Sequence, residues 1–178
     1  CIRSYFSGIG IKINEVKRSA QNPDIRRLSS EILEHPEILD NDDFEMKFSN
    51  IPIRRHKTLQ EVKSHIVKNI LIPIRETNSS LVGKECVLLI ESVFLRGNYN
   101  GEEDLRELLI IKDVEELNEQ NISDTSNKLK YSSILKFKGL EKKNIFLVIS
   151  KPSELNKYEM FVGITRAILN LEIIIVEQ

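Results

Sequence analysis

The chain has 178 residues, of which 40% are hydrophobic and 30% charged, and its net charge is −1. That profile suits one soluble domain over residues 1–178 with a single substantial core, and it excludes a disordered or fibrous chain. A charge this close to zero excludes a generic polyanion binder, so any nucleic-acid surface has to come from local clustering.

The longest apolar runs, at 86–90 and 173–176, are too short to span a bilayer. No basic segment followed by an apolar stretch opens the chain as a signal peptide does. A first residue of Cys instead of Met points to an internal or C-terminal piece of a longer, cytoplasmic protein. Two cysteines, Cys1 and Cys86, make neither a disulfide framework nor a metal-ligand set.

In chain order, residues 9–16 fit strand or helix, and their continuation to Ala20 favours helix. Residues 25–39 are predicted helical, with Ile25, Leu28, Ile32 and Leu33 on one face and Pro36 interrupting. Residues 44–53 alternate Phe44, Met46 and Phe48, the pattern of a strand. Thr58 is an expected N-cap with Glu61 as its capping-box partner. The helix that follows carries Leu59, Val62, Ile66, Ile70 and Leu71, and ends or kinks at Pro73.

Residues 82–85 are expected to form a loop before a buried strand at 86–92, where Cys86 packs instead of reacting. A helix is expected at 102–109, strand or helix at 110–117, and a polar loop at 121–127. The last third reads as a strand at 129–135 and an apolar strand at 145–150. A helix capped by Ser153 and running to about Ile168 then leads to a strand at 171–176. Such alternation predicts an α/β fold with a mostly parallel sheet flanked by helices.

Two stretches carry chemistry. The first is Ser133-Ile134-Leu135-Lys136-Phe137-Lys138-Gly139-Leu140-Glu141, followed by an apolar strand. The second is Phe161-Val162-Gly163-Ile164-Thr165-Arg166-Ala167, also before a strand. A glycine after a strand lets backbone approach a ligand closely. A carboxylate accepts from ribose hydroxyls, and an arginine at an interface neutralises charge on a phosphoryl group in transfer.

Together these stretches resemble the fifth and sixth motifs of the UvrD/Rep/PcrA family of superfamily 1 DNA helicases. The family's patterns run roughly T-x-H-x-x-K-G-L-E and [YF]-V-[AG]-x-T-R-A-x-x-x-L. The resemblance implies the second, C-terminal RecA-like domain of an ATP-dependent helicase or translocase, a P-loop-NTPase-type fold lacking its own Walker A motif. It implies that Gly139, Glu141 and Arg166 face the nucleotide, with Arg166 as the arginine finger and Thr165 supporting it. Ser133, Lys136 and Lys138 would face single-stranded DNA. The partners implied are that DNA and an N-terminal RecA-like domain of the parent protein, which would bind ATP and Mg²⁺.

Ser4-Tyr5-Phe6-Ser7 resembles the family's fourth motif, with Phe6 at the position of a phosphate-binding arginine and Arg3 nearby. Phenylalanine cannot donate to phosphate. Phe6, Leu135 in place of a polar residue, and Lys142-Lys143-Asn144 keep an alternative open: a catalytically decayed module that binds nucleic acid or protein. An unrelated α/β ligand-binding domain is a third reading.

No G-x-x-x-x-G-K-[ST] occurs, and Val82-Gly83-Lys84-Glu85 lacks both the first glycine and the hydroxyl residue, so the isolated chain is not expected to hydrolyse ATP. Between residues 128 and 143 six lysines face one glutamate, either a phosphate-tracking face or a solvated one. Phe137 is expected in the core more than under a base, and Arg54-Arg55-His56-Lys57 in a solvated loop. His35, His56 and His65 are scattered, and no metal site is expected.

Overall fold

Parallel strands covered on both faces read as unbroken aliphatic runs, and the computed structural model places such runs at the centre of the molecule. The structure describes residues 22–77, 82–123, 125–137 and 139–178. The motif at 4–11, the segment at 9–16 and Lys138 therefore lie outside the described residues.

Among the described residues, six strands form one sheet: β1 (Ile53–His56), β2 (Cys86–Ile90), β3 (Val114–Glu116), β4 (Leu129–Ser133), β5 (Lys142–Ser150) and β6 (Ala167–Val176). Their order is β1-β6-β5-β2-β4-β3 and every pairing is parallel. The helical segments are α1 (Pro23–Ile32), α2 (Phe44–Lys47), α3 (Leu59–Ile66), α4 (Ile72–Thr77), α5 (Val82–Glu85), α6 (Leu105–Leu108) and α7 (Lys157–Thr165). This is the expected α/β architecture, a RecA-like sheet flanked by helices.

Side chains alternate across a strand, so β2 and β5 feed two cores. Cys86, Leu88, Ile90, Phe146 and Val148 pack with Val62, Ile66 and Ile70 from the α3 side. Val87, Leu89, Ile145, Leu147 and Ile149 pack on the other face with Ile25, Leu28 and Ile32 of α1 and Met160 and Ile164 of α7. Burial pushes the Cys86 thiol up to about 12, so it packs as a small apolar side chain and stays unreactive.

The approach of α7 to the sheet depends on Gly163. A Cβ there would stand 2.6 Å from Leu147 Cδ1, and Leu147 is fully buried, so the leucine or the helix has to shift. Gly163→Ala is expected to destabilise the fold by about 1–3 kcal/mol through overpacking, read as a lower denaturant midpoint. An unchanged midpoint would contradict this packing.

Several elements differ from the sequence expectation. Residues 44–53 are not a strand: Phe44–Lys47 is a helical turn, and only Ile53–His56 is extended. Phe44 and Phe48 sit one helical turn apart and stack at 4.7 Å, while Met46 between them is 85% exposed. The apolar spacing is four, not two. Arg54, Arg55 and His56 belong to β1 instead of a loop. Pro73 does not end its helix. A π-helical turn at Val67–Leu71 precedes it, and this wider turn accommodates the proline ring where an α-helical carbonyl would clash.

Residues 82–85 form the helical turn α5, not a loop. In the 102–109 stretch only Leu105–Leu108 is helical, capped by Asp104. Glu102 instead accepts from Leu59 N at 3.1 Å, at the start of α3. Thr58 does cap α3, accepting from Glu61 N at 3.1 Å, but Glu61 reaches back to the amide of Lys57. Ser153 is not the cap of α7: that place belongs to Asn156, and Ser153 N donates to the Asn156 side chain at 2.9 Å. The helix stops at Thr165 and β6 starts at Ala167.

Candidate functional site

The site begins with strand register. Lys142, the first residue of β5, pairs with Ala167, the first of β6, and Lys142 N donates to Arg166 O at 3.1 Å. The residues just before each strand, Glu141 and Arg166, are therefore set side by side at the amino edge of the sheet. Register alone places two residues far apart in sequence on one cavity wall.

Bringing Glu141 there requires the chain to recross the sheet. β4 ends at Ser133, level with Ile90 and hence with Val148. Ser133 thus lies the length of β5 from Lys142 to Val148 away, roughly 20 Å at about 3.3 Å per residue. The return runs through a 3₁₀ turn at Leu135–Phe137, anchored by the buried Phe137 ring. That settles Phe137 as a core residue. Gly139 then turns the chain with φ of +88°, and nothing stands within 4 Å of where its Cβ would be. Backbone conformation, not lack of space, favours glycine there.

Arg166 caps the C-terminus of α7 and is not a residue of the helix itself. Its N–H donates to Gly163 O at 3.2 Å. Its Nη2 donates to Thr165 Oγ1 at 3.2 Å, and Thr165 Oγ1 donates to Val162 O at 2.9 Å. Arg166 Nε is buried and has no hydrogen-bond partner.

Glu141, Thr165, Arg166 and Ile168 line a cavity of about 390 Å³, whose opposite wall is Arg26, Ser29 and Ser30 of α1. The sequence reading did not single out these three residues. A second arginine was sought at 4–11, yet Arg26 faces the same cavity as Arg166. The signal was present: Ile25, Leu28 and Ile32 are the buried face of α1, and positions 26, 29 and 30 share the opposite face at helical spacing. Asn22 sets this helix in place, accepting from Asp24 N at 2.9 Å and donating to Leu169 O at 3.4 Å.

The remaining expected site residues lie elsewhere. Gly139 is not a wall of the cavity; it positions Glu141. Ser133 and Lys136 sit at the opposite, carboxyl edge of the sheet, where Lys136 N donates to Ser133 Oγ at 3.3 Å. Lys136 is exposed, but the lysines among the described residues do not make one open face. Lys130 is fully buried, with its Nζ 3.3 Å from Ser126 Oγ. Lys142 Nζ donates to Lys84 O at 2.7 Å, and Lys143 pairs with Glu85 at 3.2 Å. Burial lowers the Lys142 ammonium from its ordinary value, with the Lys130 charge acting the same way.

Two of the three histidines, read as scattered, come together. The His56 and His65 rings lie 5.0 Å apart, with Glu172 3.8 Å from His65 Nε2. Among the described residues no group of three or more His, Cys, Asp or Glu side chains is arranged to hold a metal ion. No helix among them is long and apolar enough to cross a membrane.

Neither a protein-family model nor a curated protein matches this chain. Among solved structures it is similar to the C-terminal domain of a possible DNA helicase from Lactobacillus plantarum WCFS1, with a TM-score of 0.58 and 12% identity over 88% of this chain and 86% of that one. At that identity the likeness is one of fold.

Proposed function

We propose that this chain is the second RecA-like domain of a UvrD-like superfamily 1 DNA helicase or translocase. The observation that carries the reading is the convergence of Glu141, Arg166 and Arg26 on one cavity at the amino edge of the sheet. A nucleotide held by an N-terminal RecA-like domain would enter that cavity when the two domains close. Arg166 would neutralise charge developing on the transferred phosphoryl group, Arg26 would bind a second phosphate oxygen, and Glu141 would accept from the ribose.

Mg²⁺ would be held, with ATP, by that N-terminal domain. Ser133 and Lys136 would contact the backbone of single-stranded DNA at the far edge, and Lys138 is proposed to share that role. Opening and closing would then couple hydrolysis at one edge to strand movement at the other.

One observation favours the decayed-module reading. Leu135 stands beside Ser133 where the family carries a polar residue, and its side chain is 53% exposed. ATP hydrolysis by the parent protein, measured with and without single-stranded DNA, tests the proposal. DNA-stimulated turnover is expected. DNA binding without turnover would assign the decayed module instead.

A further inference from the structure

The hydroxyls on α1 carry information about what the cavity holds. Ser29 Oγ donates to Ile25 O at 2.8 Å, and Ser30 Oγ donates to Arg26 O at 3.0 Å. A serine hydroxyl has one proton, and each is spent on a helix carbonyl. With the protons so directed, both oxygens present lone pairs toward the cavity. Thr165 is spoken for in the same way, donating to Val162 O and accepting from Arg166.

The lining is thus sorted by chemistry. Arg26 and Arg166 only donate, whereas Ser29, Ser30 and the Glu141 carboxylate accept. A bare polyphosphate satisfies the arginines but presents acceptor oxygens to acceptor walls. A ligand matching both halves carries phosphoryl oxygens at one end and hydroxyl donors at the other.

Building on the nucleotide reading above, we propose that Ser29 and Ser30 are specificity-determining residues that accept hydrogen bonds from the sugar hydroxyls of a ribonucleotide. Glu141 shares those hydroxyls, and the two arginines take the phosphates. The α1 face so selects a nucleoside triphosphate with an intact ribose over one without it.

The test is a set of equilibrium binding titrations of the parent protein with ATP, 2′,3′-dideoxy-ATP, inosine triphosphate and inorganic tripolyphosphate. Dideoxy-ATP is expected to bind about three- to tenfold more weakly than ATP for each hydrogen bond lost. Inosine triphosphate should match ATP. In the Ser29→Ala/Ser30→Ala double variant the ATP preference should fall by about threefold or more, Glu141 retaining its share, with tripolyphosphate binding unchanged. Alanine favours the helix, so an unaltered melting temperature accompanies the change.

Equal binding of ATP and dideoxy-ATP by the parent sequence overturns the inference while leaving the nucleotide reading intact. So does a preference that is undiminished in the double variant. Weak inosine triphosphate binding would assign the acceptors to the base amino group and overturn it as well. No ATP binding at all overturns the nucleotide reading together with the inference.

Discussion

Arg166→Ala in the parent protein is expected to lower the rate of ATP hydrolysis by about 10³-fold or more, the scale on which a lost arginine finger acts. The side chain is set for this work by its surroundings. Its guanidinium holds a single side-chain bond, to the adjacent Thr165. The residue lines the cavity, and the planar guanidinium can offer further donors to a phosphoryl group. Arg166→Lys should restore little, because an ammonium is a point charge and cannot present a planar pair of donors. Stability should move by less than about 0.5 kcal/mol, since the side-chain bond lost joins neighbouring residues only. Rapid-quench or coupled-assay turnover at the parental rate would remove Arg166 from the mechanism and, with it, the motor reading.

The parts of the fold legible in the sequence were those in which local pattern and tertiary context agree. β5 and β6 are long aliphatic runs buried on both faces, and such runs have few other uses in a charged chain of this size. Short elements were misread where an apolar spacing fits two periods. Phe44, Met46 and Phe48 satisfy an alternating pattern, and only the stacking of the two phenylalanines shows that the turn is helical. Asn156 took the capping place expected of Ser153 because its amide is also held by Glu91, a contact between residues 65 positions apart that no local rule contains.

The candidate site divides in the same manner. Glu141 and Arg166 were singled out through the resemblance of their motifs; that each immediately precedes a strand, and that pairing of those strands brings them together, is seen only in the structure. Arg26, Ser29 and Ser30 were not, because they lie on the polar face of an ordinary amphipathic helix. Solvent exposure and service as a cavity wall leave the same pattern in one sequence. The same limit applied to the lysines: Lys130 and Lys136 look alike in sequence, yet one is fully buried and the other exposed.

Glu91→Ala is expected to destabilise the fold by about 3 kcal/mol or more, through buried donors left without a partner. Glu91 is buried at the carboxyl end of β2, and its own N–H donates to Val148 O of β5 at 2.9 Å. Its carboxylate accepts from Ser150 N at 3.0 Å, Ser150 Oγ at 2.9 Å and Asn156 Nδ2 at 3.1 Å. Those bonds fasten the end of β5 to the residue that starts α7, the helix that delivers Arg166. Neighbouring Glu159 accepts from Ser92 N at 2.9 Å, and burial pushes its carboxyl up from the ordinary value. Alanine strands the Ser150 and Asn156 donors together, whereas Glu91→Gln keeps one acceptor oxygen and should cost less. Chemical denaturation should rank the parent above the glutamine variant and the alanine variant last. Because α7 carries Arg166 at its far end, hydrolysis in the parent protein should fall in the same order. Equal midpoints for all three would mean that the network is decorative and that α7 is held by its apolar face alone.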